Sequence, residues 1–308
     1  MSSAVVRVVC VTYSPGDVLP AMLDSLPAGV SVPYEVVLAD NGSTDGVPER
    51  EAVRAEVRLL PTGGNVGYGA AANLGARDAD AEWLLVVNPD VVFGPGCLDE
   101  LLRASQRWPQ AGALGPAIRT TEGALYPSAR SLPSIREGAG HALFGWIWPS
   151  NPWTSAYRRE RDNPREGPTG WLSGSCLLVR RAAFEAVGGF DPAYFMYFED
   201  LDLCERLGEA RWQSVYVPSA LVLHTGGHAT QREPLRNVAE HHRSAYRYLS
   251  RRYAGWRWAP LRIAIGAGLA ARYLLARVLR RVREGAEPAR SLDTLPGARD
   301  AGEALPPR

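Results

Sequence analysis

The stretch Trp83-Leu84-Leu85-Val86-Val87-Asn88-Pro89-Asp90 decides the fold of this chain. An unbroken apolar run of this kind predicts a strand buried on both faces, as in parallel sheets. The run ends abruptly at a carboxamide, a proline and a carboxylate, all turn-forming residues, so a plain turn is one interpretation. In open α/β sheets, however, ligands bind beyond the carboxyl ends of the strands. Asp90 would then be placed to bind a hard cation through its carboxylate oxygens.

Working outward from this strand, strand and helix patterns alternate along the N-terminal part of the chain. Strands are predicted at 5–13, 34–39 and 57–60. A helix pattern at 18–26 follows the first strand, and a Gly-rich loop beginning at Gly63 opens a helix that runs to about Ala79. Strands that alternate with helices over the first ~100 residues indicate parallel βαβ units. We therefore expect an α/β fold.

The pattern becomes less regular after Asp90. Strands are predicted at 113–116 (alternatively a turn), 170–179 and 212–217, and helices around 98–102 and at 181–187. A further helix begins with Glu199, Asp200 and Asp202, where the helix dipole favours acidic residues. The intervening segment Thr120–Pro168 is irregular and rich in Pro, Gly, Trp and Arg. So long a segment without clear periodicity predicts a binding loop or lid.

Two helices are predicted to close the chain, the second over 260–283. Its arginines share one half of the helix: Arg262, Arg272, Arg277, Arg280, Arg281 and Arg283. The other half carries Leu261, Leu274, Leu275, Val278, Leu279 and Val282. Ile265 and Leu269 fall on the basic side, and Trp256 and Trp258 precede the helix. This composition is typical of a helix that lies in a membrane interface near anionic lipids. Packing on its own domain or on a second subunit, as in a homodimer, is the alternative.

These patterns divide the chain into three parts. Residues 1–230 form the predicted α/β domain, and residues 231–284 form a helical segment for membrane association or oligomerisation. Residues 285–308 are rich in Pro, Gly, Ala and charge, which predicts a disordered tail.

Composition excludes several classes of protein. The 308 residues are 46% hydrophobic, enough for a large core, and a net charge of +1 argues against nucleic-acid binding. The four cysteines are scattered without metal-type spacing, which favours reduced, buried thiols in a cytoplasmic protein: Cys10, Cys97, Cys176 and Cys204. No signal peptide is recognisable, and no apolar run reaches the roughly 18–20 residues of a membrane span.

Acidic residues recur next to the predicted strands and helices. Asp40 and Asp90 follow two different strands, and Glu199-Asp200 opens a helix. The carboxyl ends of parallel strands meet at one edge of a sheet, so the first two should converge. Convergent carboxylates repel one another unless a cation or a substrate proton offsets their charge. A site for a metal and a nucleotide is thus predicted, with separate solvated turns and helix caps as the alternative.

The order of the motifs resembles that of the family 2 glycosyltransferases over roughly residues 4–230. The matching motifs are Val11-Thr12-Tyr13, Asp40-Asn41-Gly42-Ser43-Thr44-Asp45, Gly64-Asn65-Val66-Gly67-Tyr68-Gly69, Asn88-Pro89-Asp90, Gly170-Trp171-Leu172-Ser173-Gly174, Gly189-Phe190-Asp191, Phe198-Glu199-Asp200-Leu201-Asp202-Leu203 and His224-Thr225-Gly226-Gly227. The resemblance implies a glycosyltransferase A-type nucleotide-diphospho-sugar-binding fold, Rossmann-like, with a mostly parallel mixed sheet. The Asn-Pro-Asp and Tyr-Phe-Glu-Asp-Leu-Asp-Leu forms look most like bacterial rhamnosyltransferases.

The resemblance also implies roles for individual residues. Contacts to the nucleotide-sugar are implied for Thr12, Tyr13, Asp40, Asn41, Asn65, Gly67, Asn88 and Asp90. Asp90 and His224 would hold Mg²⁺ or Mn²⁺ against the donor's diphosphate. Asn88 stands where the family's usual metal motif has a carboxylate, and a carboxamide oxygen is a weaker ligand.

The acidic helix would supply the general base. An inverting transferase needs one base to take the proton of the attacking hydroxyl. Asp200 is the candidate and Glu199 the second choice, while Trp171 and Asp202 would contact the acceptor. The alternative assigns these acids to the first turn of a helix and the tryptophan to the core.

The implied activity is the inverting transfer of L-rhamnose from dTDP-L-rhamnose to a lipid-linked glycan, such as polyprenyl-diphosphate-GlcNAc. Such a step would belong to cell-wall or polysaccharide assembly at the cytoplasmic face of the membrane, with the enzyme peripherally bound. Alternatives are transfer of galactofuranose or a hexose from a UDP-sugar, a nucleotidyltransferase that makes sugar nucleotides, and a non-catalytic sugar-nucleotide or lipid-binding protein.

Overall fold

The computed structural model describes residues 4–133, 165–226 and 234–286. The strands are β1 Val6–Thr12, β2 Tyr34–Asp40, β3 Val57–Pro61, β4 Trp83–Val87, β5 Val91–Phe93, β6 Ala111–Arg119, β7 Leu125–Tyr126, β8 Ala129–Arg130, β9 Gly167–Thr169, β10 Trp171–Leu172, β11 Cys176–Arg180 and β12 Gln213–His224. The α-helices are α1 Val18–Gly29, α2 Val47–Glu51, α3 Tyr68–Ala76, α4 Cys97–Arg107, α5 Arg181–Ala186, α6 Glu199–Glu209, α7 Pro234–Arg252 and α8 Ala259–Ala286, with a 3₁₀ helix at Trp256–Trp258.

A mixed sheet of ten strands organises the described residues. Its order is β3-β2-β1-β4-β11-β6-β12-β5, with β7 added to β6 and β9 added to β12. The pairs β1–β2, β1–β4 and β2–β3 are parallel, as the N-terminal βαβ pattern predicts. β11 lies antiparallel between β4 and β6, which makes the second half of the sheet mixed. A separate two-stranded sheet joins β8 to β10.

The sheet is buried on both faces, as the apolar run of β4 predicts. Val6, Val8 and Cys10 of β1 belong to a core shared with α1 and α4. Val9 and Val11 belong to a second core, shared with α3, α5 and α6. Alternate side chains of one strand therefore enter different cores, and each fully buried aliphatic side chain contributes roughly 1.5–3 kcal/mol to stability.

The four cysteines are buried and unpaired, as predicted. Burial raises the pKa of their thiols, that of Cys97 to about 12. A neutral thiol of this kind packs as a small apolar side chain and is a poor nucleophile.

Several predicted boundaries differ from the structure. The strand predicted at 170–179 is two strands, β10 and β11, separated by the turn Ser173–Ser175. The strands predicted at 113–116 and 212–217 are longer, because β6 and β12 pair as far as residues 119 and 223. The short strand β5 was not predicted. Of the segment predicted as irregular, residues 134–164 lie outside the described residues, and its ends form β7, β8 and the start of β9.

Helix α7 is bonded to the catalytic part of the chain across the predicted boundary at residue 230. Ser244 Oγ donates to Met196 O over 2.8 Å, and Arg247 pairs with Asp191 at 3.0 Å. Arg251 pairs with Asp202, and Tyr248 is buried in a cluster with Tyr194 and Leu201. The division at residue 230 stays a prediction, while these contacts make α7 part of the support for α6.

The packed side of α8 differs from the predicted apolar half. Leu261, Ile265 and Leu269 are half-buried, on the side where Gly266 approaches the ring of Tyr246 in α7. Side chains predicted to form the apolar half are exposed instead: Leu274, Leu275 and Val278. The angular positions of the side chains around α8 do not by themselves show which side of the helix α7 covers. The side chains of Leu279, Arg280, Arg281, Val282 and Arg283, and the predicted tail from residue 287, lie outside the described part. In the part that is described, none of the helices is sufficiently long and apolar to span a bilayer.

Candidate active site

The sheet brings two of the predicted site strands to one edge. Thr12 and Asp40 are register partners at the ends of β1 and β2, and their side chains share a hydrogen bond of 2.7 Å. Asn88 follows β4, the other neighbour of β1. The predicted convergence of the Asp40 and Asp90 loops at one edge of the sheet therefore agrees with the topology. Tyr13, at the tip of β1, is 42% exposed.

The carboxylate of Asp40 organises its own loop. It accepts hydrogen bonds from the Ser43 N–H at 3.0 Å, the Gly42 N–H at 3.2 Å and the hydroxyl of Ser43. The residue is 6% exposed. Asp40 thus fixes the shape of the loop beside Thr12, and its predicted hydrogen bond to a nucleotide base stays a prediction.

The glycine-rich loop contacts both the loop that follows Asp40 and the segment that precedes α6. Asn41 Nδ2 donates to Gly67 O over 3.2 Å, and Asn65 Oδ1 accepts from the Gly67 N–H over 3.2 Å. Gly67 has φ +94°, and a Cβ there would lie 2.5 Å from Phe195 O. Only glycine fits this position, since both the dihedral angle and the space exclude a side chain. The Tyr68 N–H then donates to Phe195 O over 2.9 Å.

Asp90 and His224 form the candidate metal pair. Asp90 Oδ1 lies 3.0 Å from His224 Nε2, and the side chains are 12% and 21% exposed. Asp90 O accepts from the Thr225 N–H over 3.0 Å, so the backbone also joins the two loops. A carboxylate beside an imidazole suits Mn²⁺ or Mg²⁺ if the substrate supplies further oxygens. No group of three or more His, Cys, Asp or Glu ligands occurs in the residues described, so such substrate oxygens would be needed.

The backbone connects this pair to the acidic helix. The Asn88 N–H donates to Ser175 O over 2.9 Å, and the Gly174 N–H donates to Asp200 Oδ2 over 2.8 Å. Tyr68 Oη donates to Gly174 O over 2.7 Å, which joins the glycine-rich loop to the same turn. The Ser173–Ser175 turn, which was predicted as part of one strand, therefore joins the start of α6 to the end of β4.

Glu199 is buried and Asp200 beside it is half-buried, and the two acids have different surroundings. Burial, together with the neighbouring charge of Asp200, raises the pKa of Glu199 to about 8. Its Oε2 has no hydrogen-bond partner among the described residues. Burial also raises the pKa of Asp200, but hydrogen bonds from the Gly174 and Leu201 N–H groups favour its charged form. The pair therefore offers a protonated Glu199 beside an Asp200 that is the better candidate for a base.

Asp202 is not placed to contact an acceptor. Its side chain is 0% exposed, and Arg206 Nε donates to Oδ2 over 2.6 Å while Arg251 pairs with Oδ1. A carboxylate enclosed in this way joins α6 to α7. We correct the expected acceptor role of Asp202 to a structural one.

Trp171, which was expected to contact the acceptor, pairs with an arginine that the sequence did not indicate. Trp171 is half-buried and pairs with Arg130 in the two-stranded sheet. The guanidinium of Arg130 lies 5.5 Å from the centre of the indole. Arg130 belongs to the segment predicted as irregular, and no local pattern signals its pairing with a strand 41 residues later.

Comparison with known proteins identifies the family. Residues 7–188 match the family described as Glycosyl transferase family 2. The chain belongs to this family. The N-acetylglucosaminyl-diphospho-decaprenol L-rhamnosyltransferase of Mycobacterium tuberculosis is 55% identical to it, over 91% of this chain and 95% of the relative. Rhamnosyltransferase WbbL of Escherichia coli is 27% identical, over 80% of this chain and 93% of that protein.

The fold of this family 2 transferase has counterparts among solved structures. The mannosyltransferase PcManGT from Pyrobaculum calidifontis, in complex with GDP-Man and Mn²⁺, superposes with a TM-score of 0.54 and 16% identity, covering 91% of this chain and 76% of that one. The expected rhamnosyltransferase-like family and glycosyltransferase fold are confirmed. The roles of individual site residues stay predictions.

Proposed function

We propose that this family 2 transferase moves L-rhamnose from dTDP-L-rhamnose to a hydroxyl of a lipid-linked acceptor such as polyprenyl-diphosphate-GlcNAc, with inversion at the anomeric carbon. The observation that carries the proposal is the 55% identity, over 91% of the chain, to a relative named for this acceptor class and this sugar. The resemblance of the Asn88-Pro89-Asp90 and Tyr197–Leu203 motifs to rhamnosyltransferases supports the same substrates.

The chemical step follows from the position of Asp200. The acceptor hydroxyl attacks the anomeric carbon of the donor while its proton passes to an Asp200 carboxylate oxygen. The new C–O bond forms on the face opposite the bond that breaks, and the nucleoside diphosphate leaves with the electron pair. The Gly174 N–H holds Asp200 Oδ2 at 2.8 Å and fixes the direction in which the base points.

A divalent cation would fit the pair of Asp90 and His224. Asp90 and His224 would hold it together with oxygens of the donor, and it would offset the negative charge of the leaving diphosphate. Asn88, with its N–H bonded to Ser175 O, would line the same edge. Asp40, Thr12 and the loop around Gly67 would enclose the nucleotide.

The loop after β1 disfavours a nucleotidyltransferase. Such an enzyme would need a basic, glycine-rich loop at this position to bind phosphates. In this chain the Gly16 N–H donates to Asp45 Oδ2 over 2.8 Å, and the Ser14 N–H donates to Ser43 Oγ over 2.8 Å. These amides are bound to a carboxylate and a hydroxyl of the neighbouring loop, and no Lys or Arg accompanies them at Ser14–Asp17.

A donor screen tests the proposed substrate. We expect dTDP-L-rhamnose to stabilise the protein against heat more than UDP- or GDP-sugars, with a larger effect in Mg²⁺ or Mn²⁺ than in EDTA. Transfer of radiolabelled rhamnose to a short-chain polyprenyl-diphosphate-GlcNAc would then show activity. Stabilisation by UDP-sugars alone, with transfer of galactofuranose or a hexose, would overturn the proposed donor.

The substitution Asp200→Asn tests the chemical step. Asparagine keeps the shape and a carbonyl oxygen for the Gly174 N–H but cannot take a proton, so we expect the rate of transfer to fall by about 10²–10⁴-fold. Binding of dTDP-L-rhamnose should be retained. Asp99→Asn is the matched control. The Asp99 carboxylate accepts a hydrogen bond of 2.9 Å from the Ser31 N–H, and Asp99 lies away from these loops. Normal turnover by the Asp200 variant would overturn the assignment of Asp200 and favour Glu199 as the base, whereas a wild type that binds the donor without any transfer would favour a non-catalytic binding protein.

Membrane association is the last part of the proposal. The exposed side of α8 carries Ile263, Leu274, Leu275 and Val278 at 71%, 57%, 58% and 56% exposure. Trp256 is 81% exposed in the 3₁₀ helix before it. An anionic lipid surface suits this set, because exposed arginines accompany it at 257, 272 and 277. A lipid-linked acceptor would then be met in the plane of the membrane.

A further inference from the structure

A short segment of the chain connects the two ends of the candidate site. Tyr126 in β7 places its ring 6.5 Å from the imidazole of His224, edge to face. Ser128 Oγ donates to Pro116 O over 3.0 Å, and Ser128 O accepts from the Ser173 N–H over 2.8 Å. The segment Leu125–Arg130 therefore extends from the metal pair to the turn that holds Asp200.

Arg130 ends this segment in a fixed position. Its backbone pairs with Trp171, and its Nε donates to Pro127 O over 3.0 Å. The guanidinium carbon lies 5.5 Å from the centre of the indole ring of Trp171. Thr169 Oγ1 also donates to Arg130 O over 3.2 Å. An arginine fixed at its backbone and stacked on an aromatic ring loses little conformational freedom when it binds a ligand.

The charge of Arg130 acts in the space near the candidate base. Burial is the main influence on the pKa of Asp200 and raises it, while the positive charge of Arg130 acts against burial. Trp171 lies three residues before Gly174, whose N–H donates to Asp200 Oδ2 over 2.8 Å, and Arg130 lies over its indole. We therefore expect an acceptor whose hydroxyl reaches Asp200 to extend past both Trp171 and Arg130. A guanidinium there is suited to bind phosphate oxygens, which it contacts in a bidentate geometry.

We propose that Arg130 binds the diphosphate that links the acceptor sugar to its lipid, with Trp171 packed against the sugar ring. This inference rests on the proposed function and adds the subsite that distinguishes a diphosphate-linked sugar from a free one. The acceptor then spans one sugar ring between Asp200, where its hydroxyl reacts, and Arg130, where its diphosphate is bound.

The donor also carries a diphosphate, and the geometry favours the acceptor as the partner of Arg130. The donor's diphosphate is assigned to Asp90 and His224, at the strand ends next to the nucleotide loops. Arg130 lies at the other end of the segment, on Trp171. Measurements of both substrates separate the two sources.

The test compares two acceptors in the wild type and in Arg130→Gln and Arg130→Lys. One acceptor is a short polyprenyl-diphosphate-GlcNAc, and the other is an alkyl N-acetylglucosaminide of similar length without phosphate. For Arg130→Gln we expect the KM of the diphosphate acceptor to rise about 10- to 100-fold, the effect of one lost charge-assisted contact. The KM of the phosphate-free acceptor and that of the donor should change less than about threefold, and Arg130→Lys should be intermediate.

Arg119→Gln is the matched control, since this exposed arginine donates to Gly123 O and lies on the β6–β7 hairpin, outside the pairing of β8 with β10. Equal losses with both acceptors, together with a shifted pH–rate profile, would show that Arg130 acts on Asp200 and would overturn the proposal. A raised KM for the donor, or no change at all, would overturn it too. Calorimetric binding of the diphosphate acceptor repeats the comparison without turnover. A wild type that binds this acceptor through Arg130 but transfers no rhamnose contradicts the proposed function and leaves this inference intact.

Discussion

Gly67 joins the glycine-rich loop to the segment that precedes the acidic helix α6. At φ +94°, with Phe195 O only 2.5 Å from an added Cβ, alanine would force the two segments apart. We expect Gly67→Ala to destabilise the protein by about 1–3 kcal/mol and to weaken binding of the donor nucleotide. Denaturant unfolding and nucleotide calorimetry measure both. Gly208→Ala is the control: it lies in α6 with open space around its Cβ, and alanine there should be neutral or stabilising by up to about 1 kcal/mol.

Glu199 predicts how stability depends on pH. Its pKa is raised to about 8 in the folded protein, above the ordinary value of 4.5, by burial and by the charge of Asp200. Between these two values the folded state holds a proton that the unfolded state has lost, so the contribution of Glu199 to stability falls as pH rises.

Glu199→Gln removes this titration while keeping the size of the side chain. We expect the variant to gain stability relative to the wild type as pH rises from about 4.5 to 8, by more than about 1.4 kcal/mol in total, the free energy of one pKa unit. Urea unfolding across this range measures the difference. Glu49→Gln, at an exposed carboxylate of α2, is the control for replacing a glutamate by glutamine. A difference for Glu199→Gln that stays constant across this pH range would show that Glu199 is ionised in the folded protein throughout.

At the scale of elements, α7 braces the start of the acidic helix. Tyr197 and Phe198, just before Glu199, both have left-handed backbones, with φ +68° and +67°. Residues without glycine's freedom adopt such angles at an energetic cost, which the surroundings must offset. Here the ring of Phe198 packs against Tyr248 and His241 of α7, with centroids 5.8 and 5.4 Å away.

The ion pair between Arg251 and Asp202 is the part of this brace that a single substitution can remove. Arg251→Met leaves the buried carboxylate with Arg206 as its one remaining ionic partner among the described residues, beside the hydroxyl of Tyr194 at 3.4 Å. We therefore expect a loss of about 1–3 kcal/mol of stability and a lower kcat with unchanged donor binding. Arg243→Met is the matched control: this arginine of α7 is 75% exposed and pairs with Glu240 at 2.7 Å. It should change stability by less than about 0.5 kcal/mol. Equal effects of the two substitutions would count against the brace.

The same elements show which parts of the structure local sequence can predict. β4 was predicted with its observed bounds because its apolar run ends sharply, and the strands around it follow the same rule. The turn Ser173–Ser175 was not predicted, because its three small residues lie within a sequence that was interpreted as one continuous strand. The pairs Asp202–Arg251 and Trp171–Arg130 join distant parts of the chain, and only the tertiary fold brings them together. Asp202 was expected to contact a substrate because it lies next to Glu199 and Asp200 in the sequence. In the helix, however, its side chain faces the interior.

At the scale of the whole molecule, the exposed side of α8 makes membrane binding testable. The pair Leu274→Asp and Leu275→Asp replaces two apolar side chains that are more than half exposed, so folding should change little. Each leucine that enters lipid is worth roughly 1.5–3 kcal/mol, and we therefore expect the double variant to bind vesicles containing anionic phosphatidylglycerol at least about tenfold more weakly than the wild type.

Binding should also weaken as salt rises, because the arginines near α8 contribute through screened charge. Val53→Asp provides the control: this side chain is 86% exposed before β3, and the variant carries a new acidic group on another surface. It should cosediment with vesicles as the wild type does. If the wild type binds vesicles no better than the double variant, and sedimentation in solution shows a dimer that the double variant lacks, the exposed side of α8 is covered by a second copy of the chain and not by lipid.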